Sequence, residues 1–211
     1  NDLRQGFDFS VYGNKKFGNW DLTLGVSGMY YTTEATQRDE VIAIGNEYTS
    51  RVGQPLNAIW GLESDGFITS KDQISDTPEE ATSTKLNYKL GQDPTIGDLK
   101  YIDQNGDNII DEHDEVFLGR SDTPFRLGLN FTAKYKNWTL FVMGNGYFGG
   151  YGLKNSSYYW VHSDRKYSEV VRGRWTPETA ATATFPRLTT TNGAHSFRNS
   201  DFWLYKADRF N

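Results

Sequence analysis

From Phe125 to Tyr135 apolar and polar side chains alternate without a slip. Phe125, Leu127, Leu129, Phe131, Ala133 and Tyr135 share one parity, and Arg126, Gly128, Asn130, Thr132 and Lys134 the other. A period of two is strand spacing, because successive side chains leave a strand on opposite faces. The same beat sets Trp20, Leu22, Leu24, Val26 and Tyr30 against Asp21, Thr23, Gly25 and Ser27. Phe7, Phe9 and Val11 likewise oppose Asp8, Ser10 and Tyr12, and Trp138, Leu140 and Val142 hold one parity until glycines loosen the pattern. The polar link "NKKFGN" joins the first pair of runs and "KN" the second, as antiparallel hairpins require. Strands are predicted over about 5–13, 20–31, 125–136, 138–148 and, with weaker alternation, 202–210.

Alternation alone fits two solvents. An antiparallel sandwich has one dry and one wet face; an outer-membrane barrel has one face on lipid and one on its lumen. Three features favour the barrel. The runs reach the roughly 10 residues that a tilted strand needs to cross a bilayer, against about 5–6 in globular sheets. Aromatics stand at their ends, where headgroup-level rings are favoured: Trp20 with Tyr30 and Tyr31, Phe125 with Tyr135, Trp138 with Phe148. Short and long links alternate, the long ones being about 32–124 and 149–201, in the manner of tight periplasmic turns and elaborated extracellular loops. The expectation is an all-β chain, residues 1–211 forming part of a transmembrane β-barrel with long extracellular loops. Five strands cannot close a cylinder, and lipid tolerates no open sheet edge, so the barrel has to be larger. Phe125, Leu127, Leu129 and Phe131 would face lipid, and Arg126, Asn130, Thr132 and Lys134 the lumen.

Composition narrows the partners. The formal charge is -5, with Lys and Arg dispersed rather than striped, which argues against nucleic acid. Aromatics at 15% and 21 glycines suit a β-rich chain with many turns. Cysteine is absent, which removes disulfides, thiolate metal sites and thiol nucleophiles. No apolar run is long enough for a membrane-spanning helix, and no signal-like segment opens the chain. The start at Asn1 without Met suggests a processed or excised piece.

The densest chemistry lies in "YIDQNGDNIIDEHDEVFLG", residues 101–119. Counted from Asp103, oxygen side chains fall at positions 1, 3, 5, 9 and 12 of a calcium loop: Asp103, Asn105, Asp107, Asp111 and Asp114. Ile109 would offer its carbonyl at position 7. Asn108 replaces the usual Gly at position 6, and Asn tolerates a left-handed backbone. Position 12 is Asp114 rather than a bidentate Glu, so a structural Ca²⁺ of weak to moderate affinity is expected. The bland counterpart is an Asx-rich turn whose side chains bond their own backbone. A glycosidase pair would need two carboxylates set apart across a cleft; crowding of this kind suits a cation better, and no enzyme activity is expected. His113, His162 and His195 fit no catalytic spacing and are read as surface residues. Tyr158, Tyr159 and Trp160 lie in the second long loop, where exposed rings could stack on sugars, meet a protein partner or simply pack. Arg172, Arg174 and Trp175 lead into a Pro-bounded turn and are read as structural.

Four stretches in order, "RVGQPLNAIWGLESDGFITSKDQI" (51–74), "GDLKYIDQNGDNIIDEHDEVFLG" (97–119), "RWTPETAATATFPRL" (174–188) and "SDFWLYKADRF" (200–210), resemble the C-terminal part of SusC/RagA-type TonB-linked outer-membrane proteins. The resemblance implies late strands and outer loops of a large barrel in the outer membrane of a Gram-negative bacterium. It further implies import of oligosaccharides or peptides with a SusD-like surface lipoprotein, powered by the TonB complex through an N-terminal region that this sequence does not include. Outer-membrane lipid would surround the strands. No residue is assigned to a particular ligand by the resemblance. A secreted, calcium-stabilised carbohydrate-binding β-sandwich, with Tyr159 and Trp160 as its sugar platform, stays as the alternative.

Overall fold

The structure is a computed structural model that describes residues 1–42, 49–191 and 195–211. Two long strands open the chain, β1 (Asp2–Phe17) and β2 (Trp20–Ala35). The first loop then contributes seven short strands: β3 (Ala58–Gly61), β4 (Ser64–Phe67), β5 (Ile74–Ser75), β6 (Leu86–Tyr88), β7 (Leu99–Tyr101), β8 (Ile109–Ile110) and β9 (Val116–Arg120). A second long hairpin follows, β10 (Phe125–Tyr135) and β11 (Trp138–Phe148). The second loop carries β12 (Tyr151–Leu153) and β13 (Leu204–Lys206), and β14 (Arg209–Phe210) ends the chain. Among the described residues there is no α-helix.

The long strands form one antiparallel sheet in the order β1-β2-β10-β11-β14. Its register explains the sequence pattern. At the turn end Phe17 pairs with Trp20, Trp20 with Tyr135, and Tyr135 with Trp138. At the loop end Phe7 pairs with Tyr30, Tyr30 with Phe125, and Phe125 with Phe148. Two aromatic rows therefore cross the same face, and ring contacts run along them: Trp20 to Tyr135 at 4.6 Å, Phe125 to Phe148 at 5.8 Å and Phe7 to Tyr30 at 6.1 Å. Phe125 and Tyr135 lie ten residue steps apart, about 33 Å at ~3.3 Å per step. Tilted by ~40°, that span is about 25 Å thick, the height of the apolar band on a membrane barrel. The turns at the narrow end are tight. Gly18 and Lys136 take left-handed backbones with φ of 56° and 52°, the conformation that matches a two-residue connection to strand twist.

The face between the rows is bare. Phe7, Val11, Trp138 and Leu140 are 63%, 64%, 80% and 58% exposed, and every residue of β1 is exposed. A soluble sandwich would bury one of these faces; here neither is buried. The opposite face carries Arg126, Asn130, Thr132 and Lys134, the set assigned to a lumen, and the register adds Asp8, Ser10 and Ser27 to it.

The two long loops do not wander separately. They share one core, in which Leu62, Ile68, Leu86, Tyr88, Leu99, Tyr101 and Ile110 of the first meet Val161, Val171, Phe185, Phe197 and Trp203 of the second. The terminal stretch departs from the expected strand over 202–210. Asp201–Trp203 is a 3₁₀ turn, β13 pairs with β12, and only Arg209–Phe210 joins the large sheet. The physical reason is Trp203, which is 2% exposed: packing of that indole in the loop core bends the chain away from the ladder.

Candidate functional site: the loop body and the lumenal face beneath it

A polar knot holds the loop body together. The buried His195 ring sits between Tyr88 and Tyr101, at 4.8 and 5.1 Å. Its Nε2 lies 2.8 Å from the Leu99 carbonyl, and since a carbonyl can only accept, Nε2 carries the proton. The Ser196 hydroxyl accepts from the Leu99 N–H and donates to Asp98, while the Arg187 guanidinium stands 3.1 Å from that carboxylate. Trp203 Nε1 donates to the Ser196 carbonyl. Burial pulls the His195 imidazole down to about 4, against the opposing pull of Asp98. His195 and His162, 1% and 6% exposed, are thus core residues rather than the surface residues expected. The partners of His195 arrive from about 100 residues away in the chain, and His162 packs on Phe197 at 5.0 Å.

The acidic segment forms a self-capped turn between β7 and β9. Asp103 accepts from the Gly106 and Asn108 N–H groups, each at 2.7 Å. Asn105 accepts from Asp107 N–H, Asp107 from Ile109 N–H and Asp111 from His113 N–H. Asp114 is fully buried and accepts from Gln104 and Asp111 N–H groups, both at 2.8 Å; burial pushes its carboxyl up. Asn108 has φ 65°, the left-handed conformation that position 6 demands. The Asn108 and Ile110 carbonyls accept from β6, and alternation turns the Ile109 carbonyl toward the outer edge of β8. Among the described residues no three acidic or histidine side chains converge tightly enough to cage a metal ion. In this conformation the carboxylates serve backbone N–H groups instead.

Of the three rings in the second loop, Tyr158 is 48% exposed. Tyr159 and Trp160 pack against the core, Trp160 facing Phe197 at 6.3 Å and Trp203 at 6.5 Å. Half-buried beside these rings, Trp160 takes the packing arrangement that was one of the readings open for it. Tyr158 stands edge-on to Tyr159 at 5.0 Å and presents itself outward.

The lumenal face carries a feature that individual strands did not reveal. Where the sheet meets the loops, arginines and tyrosines alternate: Arg120 and Arg126 each lie 5.8 Å from the Tyr31 ring, Arg126 lies 5.8 Å from Tyr147, and Arg209 lies 4.7 Å from Tyr147. Such stacking restrains guanidinium groups while leaving their N–H edges open. Arg120 is used internally, gripping Asp122 through two contacts of 2.7 Å. Burial alone would raise the Asp122 carboxyl, but hydrogen bonds from Arg120 and Tyr31 outweigh it and hold the carboxyl below its usual range. The alternation of 125–135 put Arg126 on this face; the row itself exists only through pairing of β10 with β2 and of β11 with β14.

Comparison with known proteins agrees with this architecture. No family model matches the chain. A TonB-dependent receptor of Formosa agariphila is 31% identical over 153 residues, 71% of this chain and 14% of that protein. Chains from two structures of the RagAB system, one titled a peptide importer in an "open-open" state and one a peptide transporter, superpose with TM-scores of 0.63 and 0.64 at 14% and 18% identity. They cover 98% of this chain and 21% and 22% of their own lengths. The chain thus spans about a seventh of the curated relative. With its aromatic rows, its shared loop core and these likenesses, the chain belongs to the TonB-dependent receptors and has the fold of the matching part of the RagAB chains.

Proposed function

We propose that this chain supplies late strands and the outer loop body of an outer-membrane barrel that imports polar oligomers, peptides or oligosaccharides. A SusD-like lipoprotein would work with it at the cell surface, and TonB contacts made elsewhere in the protein would supply the energy. The observation that carries the reading is the two-faced sheet, with aromatic rows set about one bilayer core apart and no dry side. The loop body rises from one end of that sheet and the tight turns lie at the other, so the loop body faces outward and Tyr158 is its presented ring. Since this chain has no cysteine, single cysteines introduced into it make orientation testable in intact cells expressing the whole protein with any cysteines elsewhere replaced. A cysteine at Tyr158 should react with a membrane-impermeant maleimide, and one at Asn19 should react only after the outer membrane is opened. The reverse labelling would sink the orientation. Import is read separately, as uptake of labelled peptide and oligosaccharide mixtures with and without the co-expressed lipoprotein; equal uptake by cells lacking the receptor would sink the transport role.

A second reading concerns the acidic turn. A structural Ca²⁺ is supported by the oxygen spacing, by the left-handed Asn108 and by the outward Ile109 carbonyl. Binding requires Asp107 and Asp111 to rotate from backbone N–H groups toward a common centre. At a Kd of ~10⁻⁴ M, ~1 mM Ca²⁺ would stabilise the loop body by about 1.4 kcal/mol. Melting of the whole protein in EDTA, Ca²⁺ and Mg²⁺ checks this. A Ca²⁺-specific rise that Asp103→Asn abolishes is the expected result, and superimposable curves would leave only the self-capped turn.

A further inference from the structure

We propose that Arg126 and Arg209, stacked on Tyr147 at the loop end of the lumenal face, form a binding site for the carboxylate or sulfate groups of an anionic solute. The inference rests on the lumenal assignment of this face and goes beyond it by naming the charge class of the cargo. The first argument is a difference among three similar cations. Arg120 spends its charge on Asp122, whereas Arg126 and Arg209 make no ion pair among the described residues. Two cations side by side repel, so their stacking on one ring leaves a positive potential that an anion relieves. The second argument is geometry. Tyr147 pairs with Arg126 in the ladder on one side and with Arg209 on the other, so the two arginines project on one face from backbones about two strand spacings (~10 Å) apart. Two forked donors so placed suit one oligomer bearing two anionic groups, or one group held between them.

The third argument is the floor of the site. Arg126 and Tyr147 border a basin of ≈ 330 Å³ that also takes in Ser10, Ser27 and Asn145. Its base is Gly128, where an added Cβ would come within 2.5 Å of the Ser27 hydroxyl oxygen. Neutral hydrogen-bonding groups beside two fixed cations are the ingredients of an anionic-oligomer site. Asp8, the acid in the basin's lining, sits in β1, two strands from Arg126. It bounds the anionic region on that side and leaves the Arg126–Arg209 side positive.

The test uses the whole receptor in detergent and two matched probe pairs: an acidic tetrapeptide with its fully amidated form, and a uronic-acid trisaccharide with its carboxyl-reduced form. Equilibrium binding is measured for the native protein, for the Arg126→Gln/Arg209→Gln double variant, and for Lys134→Gln, which removes a lumenal charge near the turn end. The native receptor should prefer the anionic member of at least one pair, and which pair shows the preference separates peptide from sugar as the source of the anion. The double variant should weaken that member about tenfold to a hundredfold and leave the neutral one unchanged. Lys134→Gln should change neither, and the Arg126→Lys/Arg209→Lys variant should fall between, keeping charge without the fork. No anionic preference in the native receptor, or an equal loss from Lys134→Gln, overturns the site. Binding that discriminates as expected without uptake into cells would overturn the import reading and leave the site standing.

Discussion

In the five-stranded sheet Phe7, Val11, Trp138 and Leu140 stand more than half exposed, whereas in the loop body Ile68, Leu99 and Ile110 are wholly shut away. The same residue types answer to opposite solvents. In the sheet an apolar side chain needs only to reach the lipid-facing side, so strict alternation suffices and no partner layer is required. In the loop body water lies outside, so apolar side chains must find one another across long chain separations. A surface that would be an aggregation hazard on a soluble protein is therefore the ordinary exterior of a barrel, and polar-looking loops conceal a buried core. The two regions should respond to different perturbations.

The largest separation is expected from Trp203→Ala. The indole stacks on Phe197 at 5.8 Å, packs on Phe185 at 5.7 Å and donates to the Ser196 carbonyl. Its removal should cost the loop body about 3–5 kcal/mol. Hydrogen exchange on the whole protein in detergent should show lost protection across β6, β7 and the 195–203 segment, with β10 and β11 unchanged. Loss of protection in all of them together would mean that loops and sheet are a single cooperative unit.

A smaller effect of opposite location separates the faces of the sheet. Leu129 and Thr132 lie near the middle of β10 on opposite parities. Leu129→Arg should destabilise folding into lipid vesicles by about 2–4 kcal/mol, the cost of a cation near the bilayer midplane, and Thr132→Arg should cost little because its face is wet. Equal costs would mean that the face with the aromatic rows is not the one touching hydrocarbon.

The contrast also explains what the sequence made legible. The hairpin of β10 and β11 could be read because Phe125 to Tyr135 obeys a local rule, a period of two imposed by the strand itself. The pairing of β10 with β2 obeys no local rule: about ninety residues of loop intervene between Ala35 and Phe125. The loop core was illegible for a related reason. Leu62, Leu99, Phe185 and Trp203 follow no period, since each is buried by a neighbour distant in sequence. His195 is the sharpest case, for nothing beside it announces Tyr88, Tyr101 or the Leu99 carbonyl. At the acidic turn the spacing specified left-handed Asn108 and the oxygen positions, but not whether those oxygens turn to a cation or to their own backbone. Arg126 could be placed on the lumenal face from its parity, whereas its neighbours Tyr31, Tyr147 and Arg209 come from three other strands.

Acidification provides the gentlest way to part the two regions, because the loop body holds buried titratable groups. An unfolded imidazole titrates near ~6.5, and His195 in the fold near about 4. Between those values the unfolded chain binds the extra proton, so stability falls as pH falls. The contribution is fully present above pH ~6.5 and gone near pH ~4. By pH ~4.5 most of the contribution, on the order of 2–3 kcal/mol, is lost. Asp114 acts in the opposite direction: burial raises its folded pKa, so its charged form is unfavourable at neutral pH and acid relieves that cost. His195→Gln separates the two contributions, because a Gln amide can still donate to the Leu99 carbonyl but does not titrate. In the native protein, exchange protection of β7 should decline between pH ~6.5 and ~4.5 while that of β10 holds. In the variant the decline should flatten, leaving any rise due to Asp114 visible. An unchanged decline would assign the acid sensitivity to another buried group, with Glu115, whose carboxyl burial also raises, excluded by its sign.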